Sequence, residues 1–223
     1  MIRRALSALA VLVLLAGCGG AGGEEGTATL WVTRDRGATL LLDTEVRAGQ
    51  TLMRALASEA EIETRYGGRF IQSINGIAGS LAEQRDWFWF VNGYEGDRSA
   101  ASYRLRDGDA AWLDYRDWER EGEARVVVGA FPEPFLHGYD GKTRPAAIRF
   151  EPALARRARA LARRLGEVDV QAFPAPVPAG ANVLELRLGP PRLTGRLLGQ
   201  TAGDPVRFTL SGFPEYERRY SVP

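Results

Sequence analysis

The sequence predicts an α+β chain of two small domains, and three observations predict it. Short apolar runs alternate with Asx-Gly pairs across residues 29–115. Two segments, Leu52 to Ala60 and Glu151 to Leu165, carry apolar residues at helical spacing. A charged stretch, Asp114 to Arg125 (DYRDWEREGEAR), ends one apolar run and precedes another, which puts a boundary near residues 119–124.

Thr29 to Thr33 (TLWVT) reads as a strand, Asp35-Arg36-Gly37 as a turn, and Thr39 to Val46 (TLLLDTEV) as the returning strand. Thr51 then stands as N-cap of a helix whose apolar face is Leu52, Ala55, Leu56 and Ala60. Strands follow at Phe70 to Ile74, Trp87 to Val91 and Ala111 to Tyr115, with turns at Asn75-Gly76, Asn92-Gly93 and Asp107-Gly108. Each Asx-Gly pair suits positive φ, so tight reversals are expected there. The order β-β-α-β-β-β, one helix across a small mixed sheet, is a β-grasp layout, assigned to residues 28–118.

Residues 125–223 read as a second small α+β domain. Arg125 to Ala130 (RVVVGA) is expected to be a strand. Glu151-Pro152 opens a helix, because proline is tolerated in a first turn. Gly166 ends it, with Leu154, Ala158, Leu161, Ala162 and Leu165 on the apolar face and five arginines over the rest. Val168 to Phe173, Val183 to Leu188 and Val206 to Leu210 are expected strands. Phe-Pro recurs at 131–132, 173–174 and 213–214, where proline would end pairing.

The start of the chain carries a different signal. Arg3 and Arg4 precede an apolar run, Ala5 to Leu15, that is far shorter than the roughly twenty residues of a membrane span and suits a signal peptide over residues 1–17. Leu15-Ala16-Gly17-Cys18 resembles a bacterial lipobox, which implies that the Cys18 thiol is diacylated and the chain cut before it. Cys18 is the only cysteine, and acylation would account for a thiol with no partner for a disulfide. The glycine-rich stretch over residues 18–27 is then a flexible tether.

Composition excludes several functions. A net charge of +1 argues against nucleic acid as a partner. One histidine, His137, is too few for a zinc site in a chain whose single cysteine is the anchor. A Ser-His-Asp arrangement has only that residue to use, no G-x-S-x-G occurs, and His137 reads as a loop residue. Gly141-Lys142-Thr143 ends like a phosphate-binding loop, but the required first glycine is Leu136. Carboxylate-only acid/base chemistry, and with it a hydrolase, stays open because Asp and Glu are plentiful, but nothing singles out a pair, and no catalytic residue, metal ligand or resident cofactor is expected.

Arg85-Asp86-Trp87-Phe88-Trp89-Phe90-Val91-Asn92-Gly93 is followed by Tyr103-Arg104-Leu105-Arg106-Asp107-Gly108-Asp109 and Trp112-Leu113-Asp114-Tyr115. With the stretch Val46 to Leu56 and with Ile74-Asn75-Gly76, these segments resemble the DUF4430 domain family. That family is similar to the C-terminal β-domain of transcobalamin and intrinsic factor, a ligand-binding β-grasp. The resemblance covers roughly residues 28–118 and implies a small-molecule ligand, with cobalamin or another corrinoid as the family's suggestion.

The aromatic strand is the candidate site. Period two sends Phe88 and Phe90 to one face and Trp87, Trp89 and Val91 to the other. One face would pack on the helix. The other is expected to gather Trp87 and Trp89 with Tyr94, Trp112 and Tyr115 beside the Asn92-Gly93 turn. Uncovered indoles imply a ligand or a partner; the competing reading is that these rings are core or are covered by the second domain. The expectation is therefore a lipoprotein, not an enzyme, held by lipid to the extracytoplasmic face of the cell membrane. It would bind a small, flat, conjugated ligand at Trp87, Trp89, Asn92, Gly93, Tyr94, Trp112 and Tyr115, and pass it to a transporter. The alternative is a surface module that binds protein or cell-wall glycan.

Overall fold

A computed structural model describes residues 25–118 and 125–212. The expected signal peptide, Cys18 and most of the expected tether, the expected boundary at 119–124 and the third Phe-Pro pair lie outside the described residues.

The first half contains β1 (Thr27–Arg34), β2 (Thr39–Arg47), α1 (Leu52–Glu59), β3 (Ile62–Arg65), β4 (Phe70–Ile74), β5 (Ile77–Ala78), β6 (Arg85–Val91), β7 (Tyr94–Glu95) and β8 (Ala110–Asp117). Five of these strands form one sheet in the order β2-β1-β8-β6-β7, and β3-β4-β5 form a second. β1 and β8 are parallel at the centre of the first sheet, with antiparallel neighbours outside them. A hairpin, a helix and a last strand returning beside the first make the β-grasp order that the sequence predicts.

Helix α1 starts where Thr51 Oγ1 accepts from the Arg54 N–H at 3.3 Å, the expected cap. Its buried residues are Leu52, Met53, Ala55 and Leu56. Full burial of Leu52 and Leu56 stabilises by about 2 kcal/mol each. They share one apolar cluster with Leu30, Val32, Leu113, Trp87 and Tyr115, which all lie on one sheet face. The opposite face carries Phe90, Ala110 and Trp112, covered by Val127 and Ala130.

That cover corrects one expectation. Residues 125–130 are not a strand: Val126 makes a single bridge to Tyr94, and Val128–Ala130 is a 3-10 turn. The β-branched run reads as a strand in isolation, but its Val127 N–H donates to Gly93 O at 2.8 Å and its side chain caps the sheet.

The second half contains α2 (Glu133–Leu136), β9 (Ala146–Phe150), α3 (Ala155–Leu165), β10 (Val168–Ala172), β11 (Asn182–Arg187), β12 (Arg192–Leu197) and β13 (Val206–Ser211). Its sheet runs β10-β9-β11-β13-β12. The strand that precedes the helix is therefore β9, parallel to β10. A 3-10 turn at Pro152–Leu154 leads into α3, and Gly166 ends it at φ 83°. Ala158 and Leu165 of α3 belong to the same apolar cluster as Leu184 and Phe208. Phe131 and Phe135 close over Phe208 at centroid distances of 5.6 and 5.9 Å. The cluster is continuous from α1 to this sheet, and residues 126–139 are what joins them.

Candidate functional site

The sequence-derived site residues divide between the two faces of the first sheet. Cross-strand register pairs Trp87 with Tyr115 and Phe90 with Trp112. Trp87, Trp89 and Tyr115 therefore share the face that α1 covers, while Trp112 lies on the opposite face with the phenylalanines. This corrects the expectation of one aromatic face: alternation fixes parity along β6, but which residues of β8 lie opposite is set by register.

Trp112 is fully buried, its ring 4.9 Å from Phe90 and its Nε1–H donating to Thr33 Oγ1 at 2.7 Å. The Thr33 hydroxyl donates in turn to Asp114 Oδ1 at 2.6 Å. Burial pushes the Asp114 carboxyl up, against the opposing pull of Thr33, Arg116 and two backbone N–H groups. Tyr94 is buried with its ring 5.8 Å from Tyr139, and its hydroxyl is pushed up to about 12, chiefly by burial.

Asn92 and Gly93 form the predicted reversal, at φ 50° and 83°. The Asn92 side chain is fully buried, however, and acts inside the protein. Its Nδ2 donates to Asp109 Oδ1 and to Gly138 O, both at 2.7 Å, and its Oδ1 accepts from the Ala110 N–H at 2.8 Å. A side chain on Gly93 would run into Ala130. Asn92, Gly93, Tyr94 and Trp112 are thus packing and joining residues, enclosed because the segment after residue 125 folds over them.

Trp87 and Trp89 reach a cleft. It has a volume of about 720 Å³ and lies between β6 and the β3-β4-β5 sheet. Its apolar lining includes Tyr66, Phe70, Leu81, Trp87, Phe88, Trp89 and Trp118. Trp87 is only 7% exposed; its Nε1–H donates to Ile77 O at 2.8 Å, and its ring lies 5.3 Å from Tyr115. The Tyr115 hydroxyl donates to Ala78 O at 3.0 Å. These two bonds dock β5 onto the main sheet and fix the cleft's width. Trp89 is half-buried, 5.5 Å from the Tyr103 ring. Tyr66 and Leu81 stand 79% and 86% exposed at the rim.

Charged groups edge the cleft. Asp86 accepts from the Trp87 N–H at 2.8 Å, and burial raises its carboxyl in spite of that bond and of Arg65. Arg98 pairs with Asp97 at 2.8 Å and Asp140 at 3.2 Å. Burial would raise Asp97, but the hydrogen bonds from Arg98 and Tyr139 outweigh it and hold the carboxyl below its usual range.

Sequence reasoning missed Tyr66, Phe70, Leu81 and Trp118. The first two had a signal: Tyr66-Gly67-Gly68-Arg69-Phe70 brackets a glycine pair with aromatics, and the turn brings the rings to 6.2 Å, edge to face. His137 follows α2, its Nδ1 2.7 Å from Glu133 Oε2. Among the described residues no group of three or more His, Cys, Asp or Glu side chains is placed to hold a metal ion. No described helix is long and apolar enough to cross a membrane.

No curated protein matches the chain. Solved structures similar to it include a Ruminococcus gnavus protein described as a candidate metal binding protein, 24% identical, with TM-score 0.36, over 42% of this chain and 98% of that one. Another is haptocorrin in complex with Cbi, 16% identical, with TM-score 0.34, over 45% of this chain and 27% of that one. This chain thus spans about a quarter of haptocorrin's length. Residues 49–117, from just before α1 to the end of β8, match the family DUF4430, described as a domain of unknown function.

Proposed function

We propose that this protein is a binding protein that takes a small, flat, conjugated ligand into the cleft between β6 and the β3-β4-β5 sheet. The carrying observation is the lining: Tyr66, Phe70, Trp87, Trp89 and Trp118 converge on about 720 Å³, within the roughly 300–1,000 Å³ of small-molecule sites. Stacking on such rings adds on the order of 1 kcal/mol each beyond burial, which supports micromolar binding. A corrinoid is the ligand suggested by the sequence resemblance. In the same reading Cys18 carries the lipid that holds the protein at the extracytoplasmic face of the membrane, from which it supplies a transporter. The support for that part is Leu15-Ala16-Gly17-Cys18 after a short apolar run.

Intrinsic fluorescence titrated with cobalamin and cobinamide, corrected for inner-filter absorption, tests the ligand. Saturable quenching that a Trp89→Ala variant loses supports the reading; a linear, unsaturable response to both removes corrinoids. Cys18→Ser should release the protein from membranes or leave its leader uncut, and normal processing with continued membrane fractionation would refute the anchor. The strong exposure of Tyr66 and Leu81 favours a second reading, a surface module for protein or cell-wall glycan. Pull-down of wall glycan by the chain, weakened by Tyr66→Ser, would put that reading ahead.

A further inference from the structure

The outer edge of β6 is closed at both ends and open in the middle. Arg85 exchanges both backbone hydrogen bonds with Ser80. At the other end β7 pairs with Phe90 and Val91, and the Gly96 N–H donates to Trp89 O at 3.0 Å. On the inner side the Asn92 N–H donates to Ala110 O and the Trp118 N–H to Gln84 O. Even-numbered residues of this stretch thus face β8, and Arg85, Trp87 and Trp89 turn their backbone groups outward. The Trp87 N–H is taken by Asp86 Oδ1 at 2.8 Å. What is left is the Trp87 C=O and the Trp89 N–H, which have no hydrogen-bond partner among the described residues. Both belong to residues that line the cleft.

We propose that these two groups, an acceptor and a donor flanking Phe88, read a single planar cyclic amide. The ring N–H donates to the Trp87 carbonyl, and the ring carbonyl accepts from the Trp89 N–H. An acceptor at one residue and a donor two residues on, along one edge, present the spacing that a single residue of a parallel partner strand satisfies. A lactam edge in a conjugated ring offers the same donor beside the same acceptor. An extended peptide adding itself as a strand would need several successive pairs. The Ser80 bridge, the Asp86 side chain and β7 leave only one. A group held by this edge lies roughly in the plane of the sheet, with Phe88 on one side and Trp89 on the other. The inference rests on the cleft being a small-molecule site and not on a corrinoid, whose ring carries no cyclic amide, and it adds the functional group that the site selects.

The test compares isocarbostyril, a bicyclic lactam, with its N-methyl derivative, which keeps the shape and the carbonyl but has no N–H. Each is titrated into the ¹⁵N-labelled full chain and followed by amide shifts and tryptophan fluorescence. Isocarbostyril should move the Trp89 amide saturably and quench fluorescence, and the N-methyl compound should bind about tenfold more weakly. Equal binding of the two would overturn edge recognition while leaving the cleft a ligand site. Binding of neither, with corrinoid quenching intact, would also overturn it. So would a pentapeptide of alternating valine and threonine that displaces isocarbostyril and shifts all amides from Asp86 to Trp89. The comparison changes only the ligand, so no variant has to fold.

Discussion

The Asn92 side-chain amide donates to Asp109 Oδ1 at 2.7 Å, and the same nitrogen reaches across to Gly138 O at 2.7 Å. One residue thus forms the β6–β7 turn, holds the start of β8 through the Ala110 N–H, and ties the first sheet to the segment that leads to the second. Truncating it leaves a buried carboxylate oxygen, a carbonyl and an N–H each short of a partner. One such group costs about 1–3 kcal/mol. Alanine at φ 50° adds roughly 1 kcal/mol that glycine would not. Asn92→Ala is expected to lose about 3 kcal/mol or more in urea unfolding, and Asn92→Gly about 1 kcal/mol less. Two variants within about 0.5 kcal/mol of the parent would mean that the side chain joins nothing.

The turn was legible because Asn-Gly has a local reason to adopt two positive φ values, and Asn75-Gly76 does the same at 48° and 78°. Strands β1 and β2 and helix α1 were legible for equally local reasons, a period and a cap. What was not local was misplaced. Trp112 joined the wrong face because its parity relative to β6 depends on register, here Phe90 opposite Trp112. The run RVVVGA has the β-branched composition of a strand, yet Val127 serves as a cover, and it is Ala146–Phe150 that pairs on both sides. In the far wall of the cleft, from Tyr66 to Leu81, the strand Phe70–Ile74 and the Asn75-Gly76 turn were legible, but their place against β6 was not. That wall exists because β5 docks on Trp87 and Tyr115 through two side-chain hydrogen bonds.

Trp112 makes a separable prediction. It does not line the cleft, and it holds Thr33, which holds Asp114. Trp112→Phe keeps the apolar ring but leaves the Thr33 hydroxyl without its donor. A loss of about 2 kcal/mol in stability is expected, with the ligand titration unchanged. An affinity that fell as far as in Trp89→Ala would show that the Trp112 cluster supports the ligand site, through Phe88, and is not a separable packing unit.

Asp97 sets a pH dependence. Its carboxylate accepts from Arg98 Nε at 2.8 Å and from the Tyr139 hydroxyl at 2.7 Å, a bond between the two halves of the chain. Its folded pKa is depressed below the usual carboxylate range. A carboxyl with a depressed folded pKa contributes stability that is fully present above its unfolded value and fades as pH falls through the folded one. The gap in melting temperature between the parent and Asp97→Asn should therefore be open at pH values above about 5 and close in strong acid. A gap that stayed constant from neutral pH down through the carboxylate range would assign the effect of the variant to shape and not to charge.

Gly96 is the residue on which the position of Trp89 depends. Its backbone is not in the left-handed region, so conformational freedom is not why glycine stands there. A Cβ at this position would fall among the Cε2 and Cζ2 atoms of the Trp89 indole. The fully buried Tyr103 ring lies 5.5 Å from the indole and blocks retreat on that side. In Gly96→Ala the ring must swing into the cleft, and overpacking of this kind costs about 1–3 kcal/mol. Tryptophan emission should shift with the changed exposure of Trp89, and binding of isocarbostyril or of a corrinoid should weaken by about tenfold or more. Trp112→Phe serves as the control, with a comparable loss of stability and no loss of binding. If Gly96→Ala binds as the parent does while its emission has moved, Trp89 is not a wall of the ligand site, and Tyr66, Phe70 and Trp118 must carry the stacking without it.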